Sequence, residues 1–266
     1  MVALITGATS GIGKSYSTLL ASKGWDLIIT GRRDDIIIKH GKLLEERYKV
    51  RVEVVIVDFN SRESFNSFLD NYVKDSSREI GFLVNSVGFS NRCDFFNTDF
   101  DITHKMIEAH ISRLSEITHY VVNSMKKYNR GGFVVNVSSL VGYLPSLHDP
   151  FYSGSKSFIS TYSESISMIL KPFNIVVQSL CPGFTKTDFH KDMNLAEDEF
   201  KNRGLKRWMS ADDVVSYSYK KLKPGKVIVI PGIANKIIYY AVKILPKPLY
   251  YKIAGNNKTL TNRSLN

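Results

Sequence analysis

Cysteine is nearly absent from this 266-residue chain: Cys93 and Cys181 are the only two. Their wide separation excludes a disulfide framework or a metal-binding pair, and fits two reduced thiols of a cytoplasmic protein. His104, His119, His148 and His190 show no metal-ligand spacing either, so no metal site is expected. No apolar run reaches the roughly 18 residues of a membrane-spanning helix. No signal-peptide pattern precedes the first apolar run, which opens at Val2. Internal repeats, low-complexity tracts and convincing linkers are lacking. So is any long Lys/Arg block, although 36 Lys and Arg face 25 Asp and Glu, a net charge of +11. The basic residues read as spread, with some enrichment in the last third. That suits anionic ligands in general and not a nucleic-acid footprint.

What is present is an ordinary globular composition, 43% hydrophobic and 23% charged, enough apolar material for a sizeable core. Short apolar runs rich in Val and Ile alternate with longer amphipathic stretches. Strands are expected at residues 2–6, 26–30, 51–57, 81–85, 132–137, 174–180 and 226–230. Helices are expected at 11–23, 34–48, 61–74, 100–127, 151–170 and 211–221. This alternation predicts an α/β fold: one doubly wound parallel sheet of about seven strands with helices on both faces. It spans residues 1–232, with an irregular insertion at 188–209, and residues 233–266 form an extension beyond the sheet. Ligands in such sheets sit at the carboxyl ends of the strands.

The first strand runs into Thr6-Gly7-Ala8-Thr9-Ser10-Gly11-Ile12-Gly13. Glycines at 7, 11 and 13 let the backbone turn tightly and approach a pyrophosphate, and the following helix offers its free N–H groups to the anion. Gly7, Thr9, Ser10, Gly11, Ile12 and Gly13 are therefore candidate cofactor contacts in a Rossmann-type loop. After the second strand come Gly31-Arg32-Arg33, with no acidic residue before Asp34. An NAD site usually has a carboxylate here for the ribose 2′-OH, whereas Arg32 and Arg33 suit the 2′-phosphate of NADP(H). The alternative is a pair of solvated arginines at a helix start. Asp58, past the third strand, is placed either for an adenine amino group or for a plain strand-end turn.

Ser138 and Ser139 follow the fifth strand, and Tyr152 and Lys156 stand four apart on the next helix, so they share a face. An ammonium beside a phenol favours phenolate and lowers the tyrosine pKa, which makes Tyr152 an acid–base candidate. Ser139 is placed to hold a substrate oxygen.

With TGATSGIG at 6–13, NSVG at 85–88, NVSS at 136–139, YSGSK at 152–156 and PGFTKT at 182–187, the chain resembles the short-chain dehydrogenase/reductase family over residues 2–232. In flavour it is nearest the ketone and 3-oxoacyl reductase branch. The resemblance implies hydride transfer between NADP(H) and a small-molecule carbonyl or alcohol, with Tyr152 moving the proton. It further implies that Lys156 and Tyr152 also touch the cofactor, Ser139 steadies the carbonyl, Asn85 supports the cofactor, and Pro182, Gly183 and Thr187 meet its nicotinamide end. Residues 188–209 would close over substrate, and the two long helices would form a homodimer or homotetramer. One departure matters: His110 stands where the family commonly has a proton-relaying asparagine. It could relay protons, shift the pH optimum, or be a polar replacement packed against backbone. A catalytically weak NADP(H)-binding sensor of the same fold is the alternative function it would support.

The extension interleaves Ile237, Ile238, Tyr239, Tyr240, Leu249 and Tyr250 with Lys236, Lys243, Lys247 and Lys252. Packing against protein is the expectation there, with peripheral membrane contact as the alternative.

Overall fold

In the computed structural model, which describes residues 1–74, 78–90, 95–96, 98–146, 149–187, 202, 204–205 and 207–255, the apolar runs form strands β1 (Val2–Ile5), β2 (Asp26–Gly31), β3 (Val52–Ile56), β4 (Ile80–Asn85), β5 (Gly132–Val137), β6 (Ile175–Leu180) and β9 (Ile228–Val229). All pair in parallel, in the order β3-β2-β1-β4-β5-β6-β9. Strand order reverses between β1 and β4, and in such sheets ligands bind in the crevice at the carboxyl edge of that switch point.

Period-two alternation splits the strand residues between two cores. Leu4, Leu83, Val134 and Val177 point to one face, where they meet α3 (Arg62–Phe68), α5 (Leu114–Lys127) and the end of α6 (Pro150–Leu170) through Phe65, Ile117, Val121 and Leu170. Ile5, Val84, Val135 and Leu180 point to the other. There they meet α1 (Gly11–Ser22), α2 (Asp34–Tyr48) and α7 (Ala211–Lys220) through Tyr16, Leu20, Ile37 and Val214. Burial on both faces explains why these strands read as continuous apolar runs.

The helix expected across 100–127 is interrupted. α4 (Phe100–Ile107) passes into a wider π-helical turn, Glu108–Arg113, before α5 begins. That turn carries His110 and the fully buried Arg113, whose guanidinium lies 4.5 Å over the Phe65 ring and 3.5 Å from Glu108. Single π turns inside helices recur at functional sites. The insertion is tied off by a short parallel pair, β7 (Thr185–Lys186) with β8 (Met209–Ser210), too short to leave a periodic signal. Most of 188–209 lies outside the described residues, as do Cys93, His148 and His190.

Beyond the sheet come α8 (Ile233–Ile244) and α9 (Lys247–Gly255). They pack on the loop after β5: the Tyr239 ring meets Tyr143 edge-on at 4.8 Å, and the Tyr250 hydroxyl donates to the Pro145 carbonyl at 2.8 Å. No helix among the described residues is long and apolar enough to cross a membrane.

Two buried histidines set an acid limit on stability. His40, bonded to Ser17 at 2.8 Å between α2 and α1, is held down at about 4, chiefly by burial and then by Lys14. Burial, then the Lys156 charge, holds His110 well below its ordinary value. Both are neutral in the fold, whereas the unfolded chain takes up protons near 6.5. Unfolding by denaturant is therefore expected to become easier as pH falls from about 6.5 toward 4. Each histidine contributes up to about 1.4 kcal/mol per pH unit, and His40→Leu should flatten part of that slope.

Candidate active site

The loop after β1 is shaped by close approach. Gly7 (φ 69°) and Gly11 (φ 53°) adopt left-handed backbone that other residues resist. A Cβ on Gly7 would stand 2.9 Å from the Ser86 carbonyl oxygen, and one on Gly13 would run into the Gly7 carbonyl. The loop leads into the first amides of α1, where Ser10 makes no side-chain cap. A cradle that any side chain would fill, opening on uncapped N–H groups, fits a dinucleotide pyrophosphate.

At the end of β2, Arg32 and Arg33 are both exposed, and Arg33 donates to Thr9 Oγ1 at 3.2 Å, which brings its guanidinium over the loop. Asp58 accepts from the Asn60 amide at 3.0 Å, the hydrogen bond of a strand-end turn.

Asn85 closes β4 beneath the crevice. Its amide nitrogen donates to Thr118 Oγ1 and to Asn136 Oδ1, each at 2.9 Å, and Asn136 in turn donates to Ser163 at 3.0 Å. The Asn85 side-chain oxygen is buried without a partner. Pro182 accepts from the Leu140 amide at 2.9 Å, Gly183 is packed on Asn235 of α8, and the Thr187 methyl stands 2.9 Å from a Cβ built on Gly11. The loop after β6 thus closes against the phosphate loop.

Tyr152 and Lys156 are set by the start of α6. Asp149 caps the helix by accepting from the Tyr152 amide at 2.9 Å, with Pro150 as its first residue. The Tyr152 hydroxyl is hydrogen-bonded to Ser139. Burial pushes this phenol well above its ordinary value; the Ser139 bond works against that, and the Asp149 charge adds to it. The expected lowering by Lys156 is not what the geometry gives. The Lys156 ammonium lies 5.6 Å from the Tyr152 ring centroid and donates to the Val137 carbonyl at 3.1 Å, and burial is what chiefly moves the phenol. Tyr152 therefore stays protonated at neutral pH. Burial also lowers Lys156, to about 8.

His110 is fully buried 5.9 Å from the Tyr152 ring. Its Nε2 accepts from the Phe89 amide at 3.0 Å, so Nδ1 carries the ring proton and faces Ser155 Oγ at 2.9 Å. Ser155 in turn donates to the Tyr152 carbonyl at 2.8 Å. Nε2 is engaged with the Phe89 backbone and Nδ1 with the Ser155 hydroxyl, which favours the packing reading of this residue over the relay.

The predicted residues fall into two groups. Ser139, Tyr152, Lys156, His110 and Asn85 converge at the ends of β4 and β5, with Gly7–Gly13 and Pro182–Thr187 beside them; Arg32, Arg33 and Asp58 line the β2–β3 end. Sequence reasoning missed Asp149, Ser155 and Asn235. Asp149-Pro150 is a legible helix start. Ser155 and Asn235 act through contacts with residues distant in the chain and leave no local signal.

A family model described as short chain dehydrogenase matches residues 1–198. The very-long-chain 3-oxoacyl-CoA reductase of Rattus norvegicus is 31% identical over 99% of this chain and 81% of its own length. Sulfoacetaldehyde reductase 2 of Chromohalobacter salexigens is 30% identical over 71% of this chain and 74% of its own. The structure of a short-chain dehydrogenase from Sphingobium yanoikuyae in complex with NADPH superposes with a TM-score of 0.81 at 23% identity, covering 91% of this chain and 92% of that one. With the glycine-shaped loop, the Ser139–Tyr152–Lys156 grouping and the sheet order in hand, the matched model and these relatives assign the chain to the short-chain dehydrogenase/reductase family of oxidoreductases.

Proposed function

We propose that this protein reduces a carbonyl to an alcohol, and catalyses the reverse, using NADP(H). The observation that carries the reading is the half-buried, protonated Tyr152 hydroxyl, bonded to Ser139 with the Lys156 ammonium one helical turn on, beside a loop shaped for a pyrophosphate. When bound, the cofactor supplies the hydride to the carbonyl carbon. The Ser139 and Tyr152 hydroxyls hold the carbonyl oxygen, and Tyr152 gives it a proton. The phenolate left behind is stabilised by the Lys156 charge. His110 is a positioning residue: it ties the Gly88–Phe89 backbone to Ser155 and so to the turn of α6 that carries Tyr152. Asn85, from below, steadies the end of β4, and the segment from Pro182 to Thr187 walls the nicotinamide side.

Two observations support NADP(H) over NAD(H). The end of β2 has no carboxylate, and Arg33 already reaches the phosphate loop. Asp58 is read as a turn residue beside the adenine. The relatives cited above are named as reductases, one of sulfoacetaldehyde and one of very-long-chain 3-oxoacyl-CoA, which supports reduction as the direction and leaves the choice of carbonyl open. Exposed Met168 and Ile169 on α6, with Phe158 stacked on Tyr162 at 5.6 Å, support a homo-oligomer built across that helix.

Tyr152→Phe should lower ketone reduction by about 10²- to 10⁴-fold in an NADPH-absorbance assay, while NADPH still binds by fluorescence titration. Unaltered turnover would remove Tyr152 from the chemistry. Replacing Arg32 and Arg33 by Ala removes charge-assisted bonds and should weaken NADPH by about tenfold to a hundredfold, with NADH little changed. Because burial sets Lys156 at about 8, its charge is present below that pH and lost above it. Reduction measured as kcat/KM should therefore decline from about pH 8 upward; a profile flat to pH 10 would contradict the role given to Lys156.

A further inference from the structure

The net charge of +11 is not a general property of the surface. Residues 214–266 contain ten Lys and Arg and no Asp or Glu, which leaves the first 213 residues at only +1. The described part of that segment includes α8 and α9, and one side of this helical pair is committed to the rest of the protein. Asn235 is buried against Gly183, Tyr239 packs on Tyr143, and Tyr250 bonds to Pro145. Among the described residues the other side is uncovered. Ile233, Ile237, Tyr240 and Ile244 follow one another at steps of four, three and four, a single stripe on α8, and their exposures are 78%, 50%, 58% and 80%. Lys243, Lys247 and Lys252 are exposed on the same two helices.

We propose that this stripe docks on the surface of an anionic lipid bilayer, with α8 lying in the interface plane and the lysines on the headgroups. A row of large apolar side chains within a wholly cationic segment has the composition of an interfacial helix. At 12 residues α8 is too short to span a bilayer, which takes about 20, so it lies on the membrane. Charge decides against a second copy of the same face. With no carboxylate anywhere in residues 214–266, two such faces meeting would bring only like charges together. A nucleic acid would answer the lysines but leave the isoleucine row in water. The contact is independent of the chemistry proposed above. Its geometric consequence is that the loop following Ser139, on which α8 and α9 rest, is held close to the bilayer surface.

The test is sedimentation of the full chain with phosphatidylcholine vesicles, with and without phosphatidylserine. Binding is expected only to the phosphatidylserine vesicles, and is expected to weaken as salt rises. The double variant Ile237→Ser/Ile244→Ser should lower the partition coefficient by roughly tenfold or more. The triple variant Lys243→Gln/Lys247→Gln/Lys252→Gln should lower it on the order of a hundredfold. None of these side chains touches Ser139, Tyr152, Lys156 or the phosphate loop, so circular dichroism and reduction of a water-soluble ketone should be unchanged, which separates lost docking from lost folding. Equal sedimentation with neutral and anionic vesicles would overturn the proposal, as would wild-type binding by the isoleucine variant. An oligomer in solution that dissociates in that same variant would assign the stripe to another copy of the chain. Retention on polyglutamate without any vesicle binding would assign it to an acidic polypeptide; either result also overturns it.

Discussion

An ammonium group held out of water organises this site. Lys156 is almost wholly buried, and removing its charge from solvent carries a penalty that the surroundings must offset. The Val137 carbonyl at the end of β5 takes one of its protons. The charge helps keep His110 neutral, so the imidazole can accept from the Phe89 amide. Gly88 has little room for a side chain, because a Cβ there would lie 3.3 Å from the ammonium and 3.2 Å from His110 Nε2. The backbone of Lys156 is equally hemmed in: its carbonyl accepts from Ser138 at 2.7 Å and would collide with a Cβ on Gly142. Two strand ends, the π turn and the loop after Ser139 are thus fitted around one residue of α6.

This explains how His110 can occupy a position where the family commonly has an asparagine. The wider π turn carries the imidazole into contact with both the β4 loop and α6, and its two nitrogens are used as clamps. The substitution exchanges a small amide for a ring that fills the space beside Tyr152. The Ser139–Tyr152–Lys156 grouping is kept beside it.

Much of this was legible in the sequence, because the signals were local. Buried parallel strands must be continuous apolar runs, and the phosphate loop must have glycine where backbone meets backbone, so sheet and loop could be read from residue types. Tyr152 and Lys156 fell on one face by helical spacing alone. The proton affinities were not legible. Spacing puts a lysine beside a tyrosine, but burial, a property of the whole fold, decides that the phenol rises. The π turn also escaped, since its residues keep a helical pattern. So did Asn235, whose contact with Gly183 joins residues more than fifty apart. The concentration of charge after residue 213 was there to be counted, but it acquires meaning only once the inner side of α8 is seen to be occupied.

Asn235 carries a last consequence. The sheet ends at β9, and the chain beyond it has the look of an appendage that could be trimmed. Yet Asn235 fills the space over Gly183, and Tyr239 and Tyr250 brace the strap from Leu140 to Ser146. A chain cut after Gly232 would keep every strand and every residue of the Ser139–Tyr152–Lys156 grouping, yet lose the outer wall that holds two of the loops around it. The last helices are masonry of the pocket, and a shortened protein should be judged by the fit of its substrate before the integrity of its core.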